Sequence, residues 1–183
     1  MKSVVIASIL TFAVPALAVA QTSGQPTGQI TVTGNVPALC SSGAISGGNS
    51  VFDLGVLIDT STGYLLPSLS APSKTLSGAF CNAQSTISIS AEPMTAQNQS
   101  GALPNGFTNG VDFVAMASGW TTTAATASTS ASTQPNATQQ QSAPRAGDIV
   151  VSLSTFTARG GNLRLVADDE YRGSVIVTLA AVN

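Results

Sequence analysis

Gly24-Gln25-Pro26-Thr27-Gly28-Gln29-Ile30-Thr31-Val32-Thr33-Gly34-Asn35-Val36 alternates without a break. Gly24, Pro26, Gly28, Ile30, Val32, Gly34 and Val36 fall on one side, and Gln25, Thr27, Gln29, Thr31, Thr33 and Asn35 on the other. A period of two marks a strand that buries one face, because successive side chains leave opposite faces of the pleat. The apolar side is small at its start and aliphatic from Ile30 onward, and no charge interrupts the run.

The pattern recurs along the chain. Ser50 to Ile58, Leu76 to Phe80, Thr86 to Ala91, Val111 to Ser118, Asp148 to Phe156, Asn162 to Ala167 and Gly173 to Val182 all read as strands. Turn signals separate them, among them Asn105-Gly106, Asn109-Gly110 and Gly160-Gly161. In the last segment Val175, Val177 and Leu179 share a face. No segment carries sustained apolar spacing at helical period. The expected class is all-β, with short strands at the spacing of a sandwich. Within the low-complexity stretch 121–146, residues Thr121 to Gln141 are almost wholly Thr, Ala, Ser, Gln and Asn with one proline, and so little apolar area predicts a solvated loop.

Composition narrows function before any motif is considered. The 183 residues include no histidine, and only 8% are charged, six basic and eight acidic. Imidazole-based nucleophilic catalysis and imidazole metal ligation are closed to such a chain, so an enzyme is disfavoured and no cofactor or metal is expected. A net charge of −2 without a basic cluster gives no footprint for nucleic acid.

The amino terminus reads as a secretory signal. Lys2 precedes an uncharged run from Val4 to Ala20 that ends Ala18-Val19-Ala20, which predicts a signal peptide over 1–20 with cleavage after Ala20. No later stretch has the roughly 18 apolar residues of a membrane span, so the mature form is expected to be exported. Cys40 and Cys81 are the only cysteines, and in an oxidising compartment an even pair predicts a disulfide.

Other conspicuous residues favour structural roles. Asp168-Asp169-Glu170 lacks the spacing of a calcium loop and reads as a solvated turn before the last strand. Trp120, after Gly119, is expected in packing rather than as a sugar platform. Lys74 and the later arginines are scattered, and the sequons at Asn98 and Asn136 are read as chance matches.

Order and spacing of these segments resemble the pilin subunits of bacterial chaperone-usher fimbriae and the related spore coat protein U-like secreted domains. The matching residues are the opening from Gly28 through Ile30, Val32, Gly34, Val36 and Ala38 to Cys40, then Phe52-Asp53-Leu54-Gly55, then Cys81, and finally Tyr171 to Leu179. The likeness covers Gly28 to Ala91 and the last fifteen residues or so, and the penultimate tyrosine common in pilins is absent, the chain ending Ala180-Ala181-Val182-Asn183.

The resemblance implies an immunoglobulin-like β-sandwich over residues 34–183 that lacks its seventh strand. It further implies a periodic handover: a periplasmic chaperone fills the groove, an outer-membrane usher presents the subunit, and the amino-terminal extension of an identical or related subunit replaces the chaperone. On that reading residues 21–33 are the donor segment, with Gly28, Ile30, Val32 and Gly34 as its assembly residues, and Val175, Val177 and Leu179 are the groove or chaperone-facing residues of the last strand. Two readings of 21–33 stand side by side, donation to a neighbour and pairing as this domain's own first strand, because period two fits both. The expected function is a structural subunit of a surface fimbria or coat that supports attachment or biofilm. The competing expectation is a self-contained secreted binding module, for glycans, sensitive to changes at Trp120 or Tyr64.

Overall fold

The computed structural model describes Gly28 and residues 30–182. The predicted signal peptide, its cleavage site, and Gln21 to Thr27 and Gln29 of the extension lie outside the described residues. The chain divides into Met1–Asn35 and Val36–Asn183, and every strand belongs to the second unit.

Eleven strands and no helix are formed among the described residues. They are β1 (Cys40–Ser41), β2 (Ala44–Ile45), β3 (Lys74–Cys81), β4 (Ser85–Ala96), β5 (Phe107–Thr108), β6 (Gly110–Ser118), β7 (Ala125–Ser128), β8 (Thr138–Gln141), β9 (Arg145–Ala158), β10 (Arg164–Leu165) and β11 (Tyr171–Ala181). Nine of them make one antiparallel sheet with the path β1-β3-β9-β6-β4-β11, to which β2 adds at β3, β7 at β6 and β8 at β4. The sheet curls until β1 approaches β11, so it is nearly closed into a barrel. Its lower end carries Cys81 paired with Arg145, and Ala181 paired with Ser85; its upper end carries Lys74 paired with Val151, and Tyr171 paired with Ala96.

Alternation explains which residues fill the interior. In β4 Ile87 and Ile89 are buried, and in β6 Val111, Phe113, Ala115 and Ala117. Their neighbours Ser88, Ser90 and Met116 face outward, half-buried or exposed. Asp112 interrupts this order, being only 7% exposed. A buried carboxylate is costly unless paired, and Asp112 accepts from Arg159 at 3.1 Å and from the Thr129 hydroxyl at 2.9 Å, tying β6 to the end of β9.

Three expectations from the sequence are corrected. First, Ser50 to Ile58 forms no strand, only an isolated bridge from Ile58 to Leu65; Phe52, Leu54, Leu57 and Ile58 nevertheless pack against the core from the rim. Second, the stretch Thr121 to Gln141 is not a solvated loop throughout. It contains β7 and β8, with Ala125 and Ala127 buried. Small alanines under a complete backbone ladder suffice for a strand even where apolar area is low, since β-propensity reports chiefly how a residue fits its cross-strand neighbours. Third, Asn162 to Ala167 contributes only the two residues of β10, which pairs in parallel with β5 as a separate small sheet.

The alternating segment before Cys40 also departs from its simplest reading. None of its described residues lies in a strand, and Ile30 and Val32 are 88% and 91% exposed. The pattern records a capacity to pair, and the chain's own sheet supplies no partner to the described part.

The predicted disulfide is present: Cys40 and Cys81 are bonded and face each other across β1 and β3. β1 is only two residues long, so the bridge rather than the ladder fixes this corner. Replacing both cysteines by serine is expected to lower unfolding free energy by about 4 kcal/mol, the denatured-state entropy of a loop of this length. Urea denaturation of the double variant, read by circular dichroism, checks the figure.

Candidate functional site: the open edge of the last strand

Among the described residues β11 is paired on one side only. Its partner is β4, in a register that sets Val175 opposite Ala91, Val177 opposite Ile89 and Leu179 opposite Ile87. Ile89 donates its N–H away from β11, to the carbonyl of Ala137 at 2.9 Å. The Ile89–Val177 pair is therefore a non-hydrogen-bonded pair of the β4–β11 ladder, and the backbone N–H and C=O of Val177 point out of the sheet's edge. By alternation the same holds for Val175 and Leu179. Val182 fits the phase, since its N–H turns the other way, to the carbonyl of Gln84 at 2.8 Å.

The same three residues carry half-buried aliphatic side chains packed against the core. One stretch of strand thus offers unpaired main-chain donors and acceptors together with an incompletely covered apolar interior. Such an edge is a template for another strand.

Across the gap from β11 the wall changes along its length. At the lower end β1 comes close. At the upper end the sheet gapes into a cleft of about 830 Å³, bounded by Val51 to Ile58 on one side and Leu165 to Tyr171 on the other, with Met94 also lining it. The fold of this wall is local. Asp53 accepts from the Gly55 N–H at 2.9 Å, a side-chain turn that sets Phe52 and Leu54 inward and Asp53 outward. Lys74 lies over the Phe52 ring at 5.9 Å.

Two polar contacts fix the mouth of the cleft. The Tyr171 hydroxyl donates to the carbonyl of Val166, five residues upstream, at 2.8 Å, and burial raises the pKa of this phenol above its ordinary value. Asp168 accepts from the Glu170 N–H at 2.9 Å and from the backbone and side chain of Asn98 at 2.8 and 3.0 Å. The hydrogen bond from Glu170 leads the causes that hold its carboxyl below the ordinary aspartate range. As read from sequence, the acidic triad is a turn before the last strand, and its added role is to clamp the 97–100 loop to that turn. Among the described residues no group of three His, Cys, Asp or Glu is placed to hold a metal.

The residues singled out from sequence separate into two groups. Val175, Val177 and Leu179 come together on the open edge. Gly28, Ile30, Val32 and Gly34 lie in the other unit, exposed and outside any strand. Trp120 is fully buried, donating from Nε1 to the Ser85 hydroxyl at 3.2 Å, so it is packing and not a platform. Sequence reasoning missed the opposite wall of the cleft: Ser50 to Ile58 reads as a strand, and nothing in the pattern shows that Phe52 and Leu54 line a gap instead of joining a ladder.

Among the described residues no helix is long and apolar enough to cross a membrane. Comparison of the chain with protein-family models, with curated proteins and with solved structures returns no match.

Proposed function

We propose that this chain is an exported structural subunit of a bacterial surface fimbria or coat, polymerising by donor-strand exchange and performing no chemistry. One observation carries the reading: the backbone of Val175, Val177 and Leu179 is turned out of the unpaired edge of β11, in a chain that also holds an alternating segment whose described residues are exposed and lie in no strand. Edge and segment have matching chemistry. Strand addition satisfies the outward N–H and C=O groups and seats alternate side chains in the gap, which gives affinity and register together.

The strand path supports the immunoglobulin-like form of the fold. The strands run β1-β3-β9-β6-β4-β11 with β11 at the end of the path, and on this reading the donor strand adds at that end. A tyrosine at the start of β11 bonded to a carbonyl upstream matches the tyrosine corner of such sandwiches. The donor is the 21–33 extension of an identical or related subunit, with Ile30 and Val32 as anchors and Gly28 and Gly34 allowing close approach. Each aliphatic side chain moved from water into the gap contributes about 2 kcal/mol. Before assembly a periplasmic chaperone covers the edge and an outer-membrane usher organises delivery to the surface.

Deleting Gln21 to Thr33 tests this directly. The expected product is a folded monomer with an unchanged disulfide that forms no ladders after crosslinking, whereas the intact mature chain forms them. If the truncated protein unfolds while the intact one remains a stable monomer, the segment belongs to its own domain and the assembly reading fails.

A further inference from the structure

Above the barrel the two-stranded sheet of β5 and β10 is joined by one more residue, Tyr64, bridged to Arg164. Tyr64, Arg164 and Phe107 are thereby in register across three chain segments, and residues in register share a face of the pleat. The opposite face is the buried one, with Thr108 and Leu165 at 5% and 6% exposure. Arg164 and Phe107 are exposed, and Tyr64 is half-buried. The outward row is tyrosine, arginine, phenylalanine.

Arg164 is held still. Its guanidinium lies 4.5 Å from the centre of the Tyr64 ring, and its Nε donates to the carbonyl of Thr62 at 2.9 Å. Gly63 makes room for the stem: a Cβ there would stand 3.3 Å from Arg164 Cδ. Arg159 and Arg172 are each paired with a carboxylate, but Arg164 has no ion pair among the described residues. The neighbouring carboxylate, Asp59, is turned instead onto the N–H and hydroxyl of Ser61. With Nε used and the stem pinned, the two Nη groups remain as a fixed fork, which matches a carboxylate bidentately.

We propose that this row is a binding site for a carboxylate-bearing saccharide, such as a uronic acid unit of a surface polysaccharide. The Arg164 fork, seated on the Tyr64 ring, takes the carboxylate, and the exposed Phe107 ring takes the apolar C–H face of the sugar ring. Preorganisation is what makes so small a site usable, because the arginine's rotamer entropy is lost before the ligand arrives. The proposal stands apart from strand exchange: no residue of the row is among those that bound the cleft beside β11.

Calorimetric titration of the full mature chain with trigalacturonate, and with its methyl ester, tests it. The acid is expected to bind saturably with Kd of about 1 mM and at least about tenfold more tightly than the ester, with the difference shrinking as salt rises. Arg164→Gln reduces acid binding to the level of the ester while the chain stays folded by circular dichroism, Arg164→Lys falls between, and Phe107→Ala weakens acid and ester alike. Equal binding of acid and ester, undiminished binding by Arg164→Gln, or no binding at ten times the expected Kd overturns the proposal.

Discussion

Val177→Asp is expected to abolish the proposed subunit–subunit addition and to leave the monomer folded. Val177 sits at the middle of the open edge, with its backbone facing out and its side chain half-buried beside the gap. In the monomer Val177 is only half-buried, so a carboxylate there still reaches water and the cost to folding is about 1–2 kcal/mol. On strand addition the same carboxylate is enclosed, and the donor segment, which contains no charged residue, offers it no partner. An unpaired buried charge costs several kcal/mol, and a loss of about 4 kcal/mol lowers association about a thousandfold. Ile176→Asp is the matched control, because Ile176 is 58% exposed on the outer face one residue away. Crosslinking ladders are expected from Ile176→Asp and none from Val177→Asp; ladders of equal length from both would remove the open edge from any role in assembly.

Trp120→Ala is the substitution expected to cost the fold most. Trp120 is the largest fully buried side chain, and it covers the lower end of the interior where β6 ends and β4 begins. Gly119 aims it. Gly119 adopts φ 90°, and a Cβ at that position would lie 2.7 Å from the carbonyl oxygen of Asp148, so only glycine admits the turn that drives the indole inward. Truncation to alanine leaves a cavity costing about 3–5 kcal/mol. It also removes the donor bound to the fully buried Ser85 hydroxyl, which costs about 1 kcal/mol or more. Trp120→Phe retains most of the volume and isolates the second effect. Urea midpoints that fall in the order wild type, Phe, Ala check the assignment, and an unshifted midpoint for alanine refutes it.

The long strands were legible because their partners are near in type if not in sequence. β3, β4, β6, β9 and β11 each contain a run with apolar residues at every second position, such as Val111, Phe113, Ala115 and Ala117 in β6, and the reading from sequence placed all five. β7 and β8 were hidden by composition: a run such as Thr138-Gln139-Gln140-Gln141 carries no apolar signal and is a strand only because β4 already stands beside it. Ser50 to Ile58 failed in the opposite sense. Phe52 and Leu54 are half-buried as a strand's inward residues would be, yet their backbone forms no ladder, and the edge of β3 is already paired with β1 and β2. Half of the candidate site could be read from the alternation of Val175, Val177 and Leu179. That their backbone is unpaired could not, because an open edge is a property of what lies next to a strand.

The junction at Pro37 to Cys40 has a mechanical meaning. Asn82 holds the Pro37 carbonyl and the Leu39 N–H through its side chain, at 2.9 and 2.7 Å, and Cys40 is bonded to Cys81. Tension applied through the amino-terminal segment meets the Asn82 hydrogen bonds and then, at Cys40, passes by a covalent bond into β3, a strand flanked by β1 and β2 on one side and β9 on the other. A two-residue strand held by hydrogen bonds alone would peel open one pair at a time under such a pull. The bridge instead passes the load into a strand paired on both sides, so the pull must disrupt the ladders of β3 together and not the two pairs of β1 alone.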